Sequence, residues 1–166
     1  MNELANAHAG LVRKETIGNV VASAVIAALL SWLILHRQAD IDLHAPPPGG
    51  IFGIVPGTFN FTLLVTFALT LITRRRVRTG QHARRTARVP RADWLPGNVL
   101  VRSLLLAVCA TITLVPLTYA LVWGAVSAGL APPHWSFGAV LAFYVAYFVV
   151  LTVIVTPLVV WRALRD

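Results

Sequence analysis

Four long apolar stretches limit what this chain can fold into. They cover residues 17–35, 54–73, 99–126 and 137–161, and Arg102 is the only charged residue within them. A helix that rises about 1.5 Å per residue needs about 20 apolar residues to cross the hydrocarbon core of a bilayer. Backbone groups in that core must form hydrogen bonds within their own segment, so each stretch is predicted to be a helix. We therefore expect an all-α membrane protein, a bundle of four transmembrane helices that forms one domain over residues 1–166.

The composition agrees with this interpretation. Hydrophobic residues make up 57% of the chain and charged residues 12%, whereas soluble domains carry about 25% charged residues because their surface faces water. Arg13 and Lys14 precede the first stretch, as in a signal peptide, but the apolar run is longer than the about 7–15 residues of such peptides. His36 and Arg37 follow it instead of a small-residue cleavage site. We expect an uncleaved membrane anchor.

The basic residues are distributed unevenly between the connecting segments. Most of the 14 lysines and arginines precede the first stretch, follow the fourth, or lie in the arginine-rich segment 74–91. In the two other connections, 36–53 and 127–136, Arg37 is the only lysine or arginine. Lysine and arginine in short loops are enriched on the cytoplasmic side, the positive-inside rule. The pattern predicts a multi-pass protein of the bacterial inner (plasma) membrane with segment 74–91 and both termini in the cytoplasm.

The arginines of segment 74–91 also predict a partner. Juxtamembrane basic side chains are attracted to an anionic inner leaflet by about 1 kcal/mol each. We expect contacts with lipid headgroups from Arg74, Arg75, Arg76, Arg78, Arg84, Arg85, Arg88 and Arg91. Because this placement accounts for most of the net charge of +8, no nucleic-acid partner is expected.

The two halves of the chain are similar to each other. Gly18-Asn19 in the first stretch recurs as Gly97-Asn98 before the third, 79 residues later. Both outer connections contain Ala-Pro-Pro, and a helix with phenylalanine near its start follows each of them. We predict a parallel repeat of two helical hairpins, residues 14–78 and 94–165. Pro116 falls where the repeated helix would end, so the third helix either kinks there and continues or breaks into a short re-entrant piece.

A few polar residues inside the stretches are candidates for function. Arg102 lies about one turn from the cytoplasmic end, where its side chain is expected to snorkel to the headgroups; a role in an anion pathway is the alternative. Asn60 lies near the outer end of the second stretch, which also contains threonines spaced four residues apart on one helix face. These are Thr58, Thr62, Thr66 and Thr70. They either support close helix packing by bonding to the carbonyl one turn back, or line a polar path for a solute.

Other chemistry has little support in the sequence. His36, His44 and His134 all lie on the predicted outer side but share no recognised ligand spacing, so they are weak candidates for a metal site. Cys109 is the only cysteine, which excludes a disulfide within the chain. The sequence has neither a glycine-rich phosphate loop nor a catalytic constellation. We expect no enzymatic activity and no cofactor.

Several features together resemble a known group of proteins. Lys14-Glu15 is followed by a helix that opens with Gly18-Asn19 and carries Trp32 near its end, then by a proline-bearing loop and a threonine-rich helix that ends in arginines. This organisation resembles small permease-like proteins of the bacterial inner membrane. The two-hairpin arrangement is also similar to a bacterial family of unknown function built from short two-span units. The resemblance covers the whole chain and implies no particular activity.

Two functional hypotheses follow. The first is an accessory or structural subunit that stabilises a larger membrane assembly. The alternative is a homo-oligomeric small transporter or channel, because four helices alone enclose little beyond their own packing. In that case the threonine face of the second helix, with Arg102, would line the path.

Overall fold

The computed structural model describes residues 2–36, 40–42, 53–80 and 94–164, and the side chains within 10–33, 36, 53–80 and 94–164. Its helices are α1 (Asn2–Leu35), α2 (Ile54–Arg78), α3 (Val99–Ser127) and α4 (Phe137–Ala163). Each contains a segment long and apolar enough to span a membrane, and in α1 that segment is Gly10–Leu33. The predicted all-α protein with four membrane-spanning helices is confirmed.

Two helix starts are fixed by side-chain caps. The Asn98 side chain accepts hydrogen bonds from the backbone N–H groups of Leu100 and Val101, at 2.9 and 3.3 Å. Ser136 accepts one from the backbone N–H of Ala139 at 3.4 Å. Such caps satisfy donors that have no partner in the first turn of a helix, and they explain why α3 and α4 begin where they do.

Helix α3 continues through Pro116. The structure has one helix over Val99–Ser127 with this proline inside it, so the alternative of a short re-entrant piece is wrong. A proline within a helix removes one backbone hydrogen bond, and membrane helices tolerate this loss when neighbouring groups compensate for it. Helix α4 likewise contains Pro157 without a break.

The order in which the helices pack does not follow their order in the chain. Helix α1 packs on α4, α4 packs on α2, and α2 packs on α3. Helices α1 and α2 are consecutive but make little contact with each other, and the same holds for α3 and α4. Each hairpin therefore packs its helices against those of the other hairpin, and the two hairpins are interlocked.

A short strand pair joins the two outer connections. Strand β1 (Asp40–Asp42) pairs antiparallel with β2 (His134–Ser136), and Ile41 lies opposite Trp135. This pairing was not predicted from the sequence, because three-residue strands have no detectable periodicity. The strands connect the same two hairpins whose helices are interlocked.

The outside of the bundle is apolar. Large hydrophobic side chains are well exposed on every helix, for example Leu29, Leu64, Ile112 and Val150. A soluble protein does not expose continuous apolar surface over four helices, whereas the hydrocarbon core of a bilayer requires it. The chain is an integral membrane protein.

Two glycines allow α2 to approach α4 closely. A Cβ atom added to Gly57 would lie 3.2 Å from Cζ of Phe148, and one added to Gly53 would lie 2.9 Å from the Tyr144 hydroxyl. Small residues let membrane helices come near each other, so that packing replaces the hydrophobic effect that lipid cannot supply. These contacts hold the threonine face of α2 inside the bundle.

Candidate functional site: a buried polar seam

The four threonines of α2 lie on its buried face. Thr58, Thr62, Thr66 and Thr70 are each at most 1% exposed. Their spacing of four residues aligns them along one side of the helix, and α2 is the helix that packs on both α3 and α4. We call the four threonines, together with Arg102 of α3, the polar seam.

The first threonine of the seam along α2 is hydrogen-bonded. The Thr58 hydroxyl donates to the carbonyl oxygen of Ile54 at 2.7 Å and lies 2.6 Å from the Tyr147 hydroxyl of α4. This arrangement satisfies both groups and joins α2 to α4. It matches the packing role that the sequence allowed for these threonines.

The next three threonines behave differently. Within the described part of the chain, the hydroxyl oxygens of Thr62, Thr66 and Thr70 are buried and have no hydrogen-bond partner. Other threonines, such as Thr111 and Thr118 of α3, bond to the carbonyl one turn back at 2.8 and 2.7 Å. A buried hydroxyl left without a partner costs about 1–3 kcal/mol. Three in succession form a row of groups able to bind a polar species inside the membrane.

Arg102 lies inside the protein. Its side chain is 0% exposed, so the expectation that it snorkels to lipid headgroups is wrong. Helix α3, which carries this charge, packs on α2. Ser103 is also buried beside it and bonds to the Val99 carbonyl at 2.9 Å. A buried cation in a membrane segment is uncommon and marks a functional site by default.

The interface between α1 and α4 contains a second polar pair. The Thr152 hydroxyl lies 2.8 Å from that of Ser23 and 2.7 Å from the Phe148 carbonyl oxygen. Thr156, one turn further along α4, is fully buried and has no hydrogen-bond partner among the described residues. These residues were not predicted from the sequence, although Thr152 and Thr156 have the same four-residue spacing as the threonines of α2.

Arginines close the predicted cytoplasmic end of the bundle. Arg74 donates to the carbonyl oxygen of Gly97 at 2.6 Å, and Nε of Arg162 donates to that of Leu95 at 2.8 Å. Arg76 forms an ion pair with Glu15 of α1. Arg74 and Arg162 therefore fix the segment that leads into α3, and Arg76 joins α2 to α1.

Six further arginines are predicted to contact lipid headgroups. Arg75 and Arg78 are exposed at the end of α2. Arg84, Arg85, Arg88 and Arg91 lie outside the described residues.

The structure describes two of the three histidines that are weak candidates for a metal site. His36 is exposed at the end of α1, where its ring stacks on Trp32 at 4.7 Å and Nδ1 lies 2.9 Å from the Trp32 carbonyl oxygen. His134 is exposed in β2, and His44 lies outside the described residues. No cluster of three or more potential metal ligands occurs in the described part of the chain.

Asn60 lies away from the polar seam. It faces a lateral cleft of about 550 Å³ between α1 and α2, whose floor is formed by Tyr144 and Phe148 of α4. The cleft is lined mainly by apolar side chains such as Leu30 and Leu64. The structure thus separates Asn60 from the threonines with which the sequence analysis had grouped it.

Comparisons with protein-family models, with curated proteins and with solved structures find no match to this chain.

Proposed function

We propose that the protein moves a small polar solute across the bacterial inner membrane, as a homo-oligomeric transporter or channel. The observation that carries this proposal is the row of three buried hydroxyls without partners, at Thr62, Thr66 and Thr70. Buried polar groups are normally hydrogen-bonded, and exceptions in a native fold have a functional reason. If these positions served only helix packing, valine would give a more stable protein than threonine, because it has no polar atom to bury.

The path would follow the inner face of α2. Four helices alone enclose little beyond their own packing, which is the reason for proposing an oligomer. With both termini in the cytoplasm, as the positive-inside rule predicts, Thr58 lies towards the outer side and Thr70 towards the cytoplasm. The exposed Arg75 and Arg78 at the end of α2 would then meet the anionic headgroups of the inner leaflet.

The test is solute flux in proteoliposomes. The unaltered protein, reconstituted in liposomes that contain anionic lipid, is expected to release small polar solutes that protein-free liposomes retain. Thr62→Val and Thr66→Val are expected to reduce this flux at least tenfold while the protein still inserts normally. Thr113→Val is the matched control, because Thr113 is an exposed threonine that bonds only to its own backbone, at Cys109. Absence of flux from the unaltered protein would refute the transport proposal.

An accessory subunit of a larger assembly is the second candidate. It is favoured by α1, which is the least buried of the four spans and packs along one side only, on α4. Its free flank exposes Ile17, Val21, Val25 and Leu29. The mass of the particle extracted from native membrane with its surrounding lipid separates the two candidates. A homo-oligomer supports the transporter, and a particle that contains a second protein supports the accessory subunit.

A further inference from the structure

Helices α1 and α2 are joined at one end of the bundle and separated at the other. At the arginine-rich end, Glu15 of α1 forms an ion pair with Arg76 of α2. Towards the opposite end both helices pack on α4 but make little contact with each other. The lateral cleft of about 550 Å³ lies between them and extends along α2 from Gly53 to Val65. Over this half of its length, α2 presents its flank to the membrane instead of to α1.

The exposed side of α2 at this cleft carries an asparagine. Pro56, Asn60 and Leu64 are exposed at intervals of four residues, and Leu71 continues the same side of the helix. We call these four residues the Asn60 face. A turn of about 100° per residue places this face on the other side of α2 from the buried threonines of the polar seam. The Asn60 face therefore meets the bilayer.

The amide of Asn60 lies well inside the hydrocarbon core. Asn60 is six residues from the start of α2 at Ile54 and 14 residues from Arg74, the first charged residue after the apolar stretch. At about 1.5 Å per residue these separations are about 9 and 21 Å, and together they match the core thickness of about 30 Å. The ester groups of phospholipids lie at the boundary of this core, so lipid chains offer the amide no acceptor at its depth.

An exposed amide at this depth needs a hydrogen-bond partner. A polar group without one is strongly unfavourable in hydrocarbon, where no water replaces it. The exposed Thr113 of α3 finds its partner within its own helix, at the carbonyl oxygen of Cys109. Asn60 has no hydrogen bond in the described part of the chain, and the cleft beside it is lined mainly by apolar side chains such as Ile26 and Leu30. The amide requires a polar group from another molecule.

A second copy of the chain supplies this group by symmetry. Copies inserted in the same orientation are related by a two-fold axis along the membrane normal, so equivalent residues lie at equal depth. An asparagine side chain is both donor and acceptor, and two Asn60 amides that meet across the axis satisfy each other. Hydrogen bonds between asparagines of different helices stabilise helix association in membranes. A helix of another protein would need a matching polar side chain at the same depth.

The lateral cleft gives the second copy a place to pack. Its walls include Leu30 of α1 and Leu64 of α2, which are 53% and 63% exposed. When α2 of each copy covers the cleft of the other, α1 and α2 of both copies form a central group of four helices. Helix α1 then gains a second neighbour, since within one copy it packs along one side only, on α4.

We propose that the protein forms a two-fold symmetric dimer through the Asn60 face of α2, with the two Asn60 amides hydrogen-bonded across the axis. The dimer deepens the transport function proposed above by naming the surface through which the copies associate. It rests on that function only for the role of the oligomer. The polar seam stays inside each copy, on the other side of α2.

Association is measured first, without transport. The protein is labelled with donor or acceptor dye at a cysteine that replaces Thr79 in a Cys109→Ala background. Energy transfer in liposomes at decreasing protein-to-lipid ratio gives the dimerisation constant. We expect Asn60→Leu to weaken dimerisation about tenfold, as the loss of two hydrogen bonds between membrane helices does. Asn60→Gln retains the amide and should retain most of the association. Thr113→Val, the matched change at an exposed polar residue that bonds to its own helix, should leave it unchanged.

Cysteine cross-linking locates the interface. Leu64→Cys in the Cys109→Ala background is expected to form a dimer disulfide under mild oxidation, because this residue lies one turn from Asn60 on the same face. Adding Asn60→Leu should reduce the cross-link. Ile112→Cys is the control, since Ile112 is exposed near the middle of α3 and lies outside the proposed interface. Cross-linking at Ile112 without cross-linking at Leu64 refutes the Asn60 face as the interface.

Other occupants of the cleft give different results. A monomer that retains one phospholipid in native mass spectrometry, and loses it in Leu64→Trp but not in Leu29→Trp, shows that lipid fills the cleft. Leu29 is the control because it is equally exposed on α1 but does not line the cleft. A Leu64→Cys cross-link to a different protein in native membranes shows a different partner. Either result refutes the dimer, and so does a protein that is monomeric at every protein-to-lipid ratio.

The outcomes for association and for transport are separable. A dimer that depends on Asn60, without solute flux, upholds the interface and refutes the transport function. Flux from an unaltered protein that is monomeric under the same conditions upholds transport and refutes the dimer.

Discussion

Replacing the unsatisfied threonines of α2 with valine is expected to stabilise the protein. Thr62, Thr66 and Thr70 are buried hydroxyls without partners in the described chain, and valine has nearly the same shape without the polar atom. Removing a buried polar group that makes no hydrogen bond eliminates its desolvation cost. Thr58→Val should have the opposite effect, because it leaves the Tyr147 hydroxyl without its 2.6 Å partner.

The size of the effect follows from the hydrogen-bonding state of each hydroxyl. An unsatisfied buried hydroxyl costs about 1–3 kcal/mol in water-soluble proteins. In membranes the unfolded helices also find partners, and measured polar contributions average about 0.6 kcal/mol. We therefore expect each of the three Thr→Val changes to raise the free energy of unfolding by about 1 kcal/mol. The triple variant should gain about 2–3 kcal/mol, less any coupling between neighbouring sites. Thr58→Val should lose about 1 kcal/mol.

The assay is reversible unfolding in mixed micelles, in which a denaturing detergent is titrated against a mild one and helicity is followed by circular dichroism. The four single variants have the same chemical change on one face of one helix, so Thr58→Val is the internal control. A loss of stability in all four variants would show that Thr62, Thr66 and Thr70 are hydrogen-bonded in the membrane. That result would refute the proposal that the polar seam lines a path for a solute.

Three further predictions concern the packing and the orientation. Gly57→Val should destabilise the protein by about 1–3 kcal/mol in the same assay, since even a Cβ at this position meets an aromatic ring of α4 at 3.2 Å; an unchanged stability would contradict the close α2–α4 contact. Cysteines at Ser23 and Thr152 in a cysteine-free background should cross-link under mild oxidation, because their hydroxyls lie 2.8 Å apart; failure to cross-link would count against the interlocked hairpins. Single cysteines at Asp42 and His82 should react with a membrane-impermeant label from opposite sides, and labelling of both from one side would overturn the four-span topology.

The number and extent of the helices could be predicted from the sequence because the bilayer sets their length. A segment must supply about 20 apolar residues whatever its neighbours are, so the stretches beginning at Ile54, Val99 and Phe137 already identify three helix starts. The first helix was predicted from residue 17 but extends from Asn2, because helical structure continues into polar residues that need not lie in the membrane.

The helix partners could not be predicted in this way. Lipid is as apolar as leucine, so lipid-facing and protein-facing sides of a membrane helix do not differ in hydrophobicity as they do in a soluble protein. Nothing in the sequence of α1 shows that it packs on α4 instead of α2. The repeat of Gly18-Asn19 as Gly97-Asn98 predicted two similar hairpins but not that they interlock. That arrangement depends on contacts between residues more than a hundred positions apart, such as Ser23 and Thr152.

The polar seam was predicted in part. The four-residue spacing was sufficient to place the threonines on one face of α2, but spacing does not determine whether a hydroxyl bonds back to its own helix. Thr58 does so and Thr62 does not, although both are buried on the same face. The prediction for Arg102 was wrong because it considered only the distance to the membrane surface. A single-helix argument does not include α2, which packs on α3.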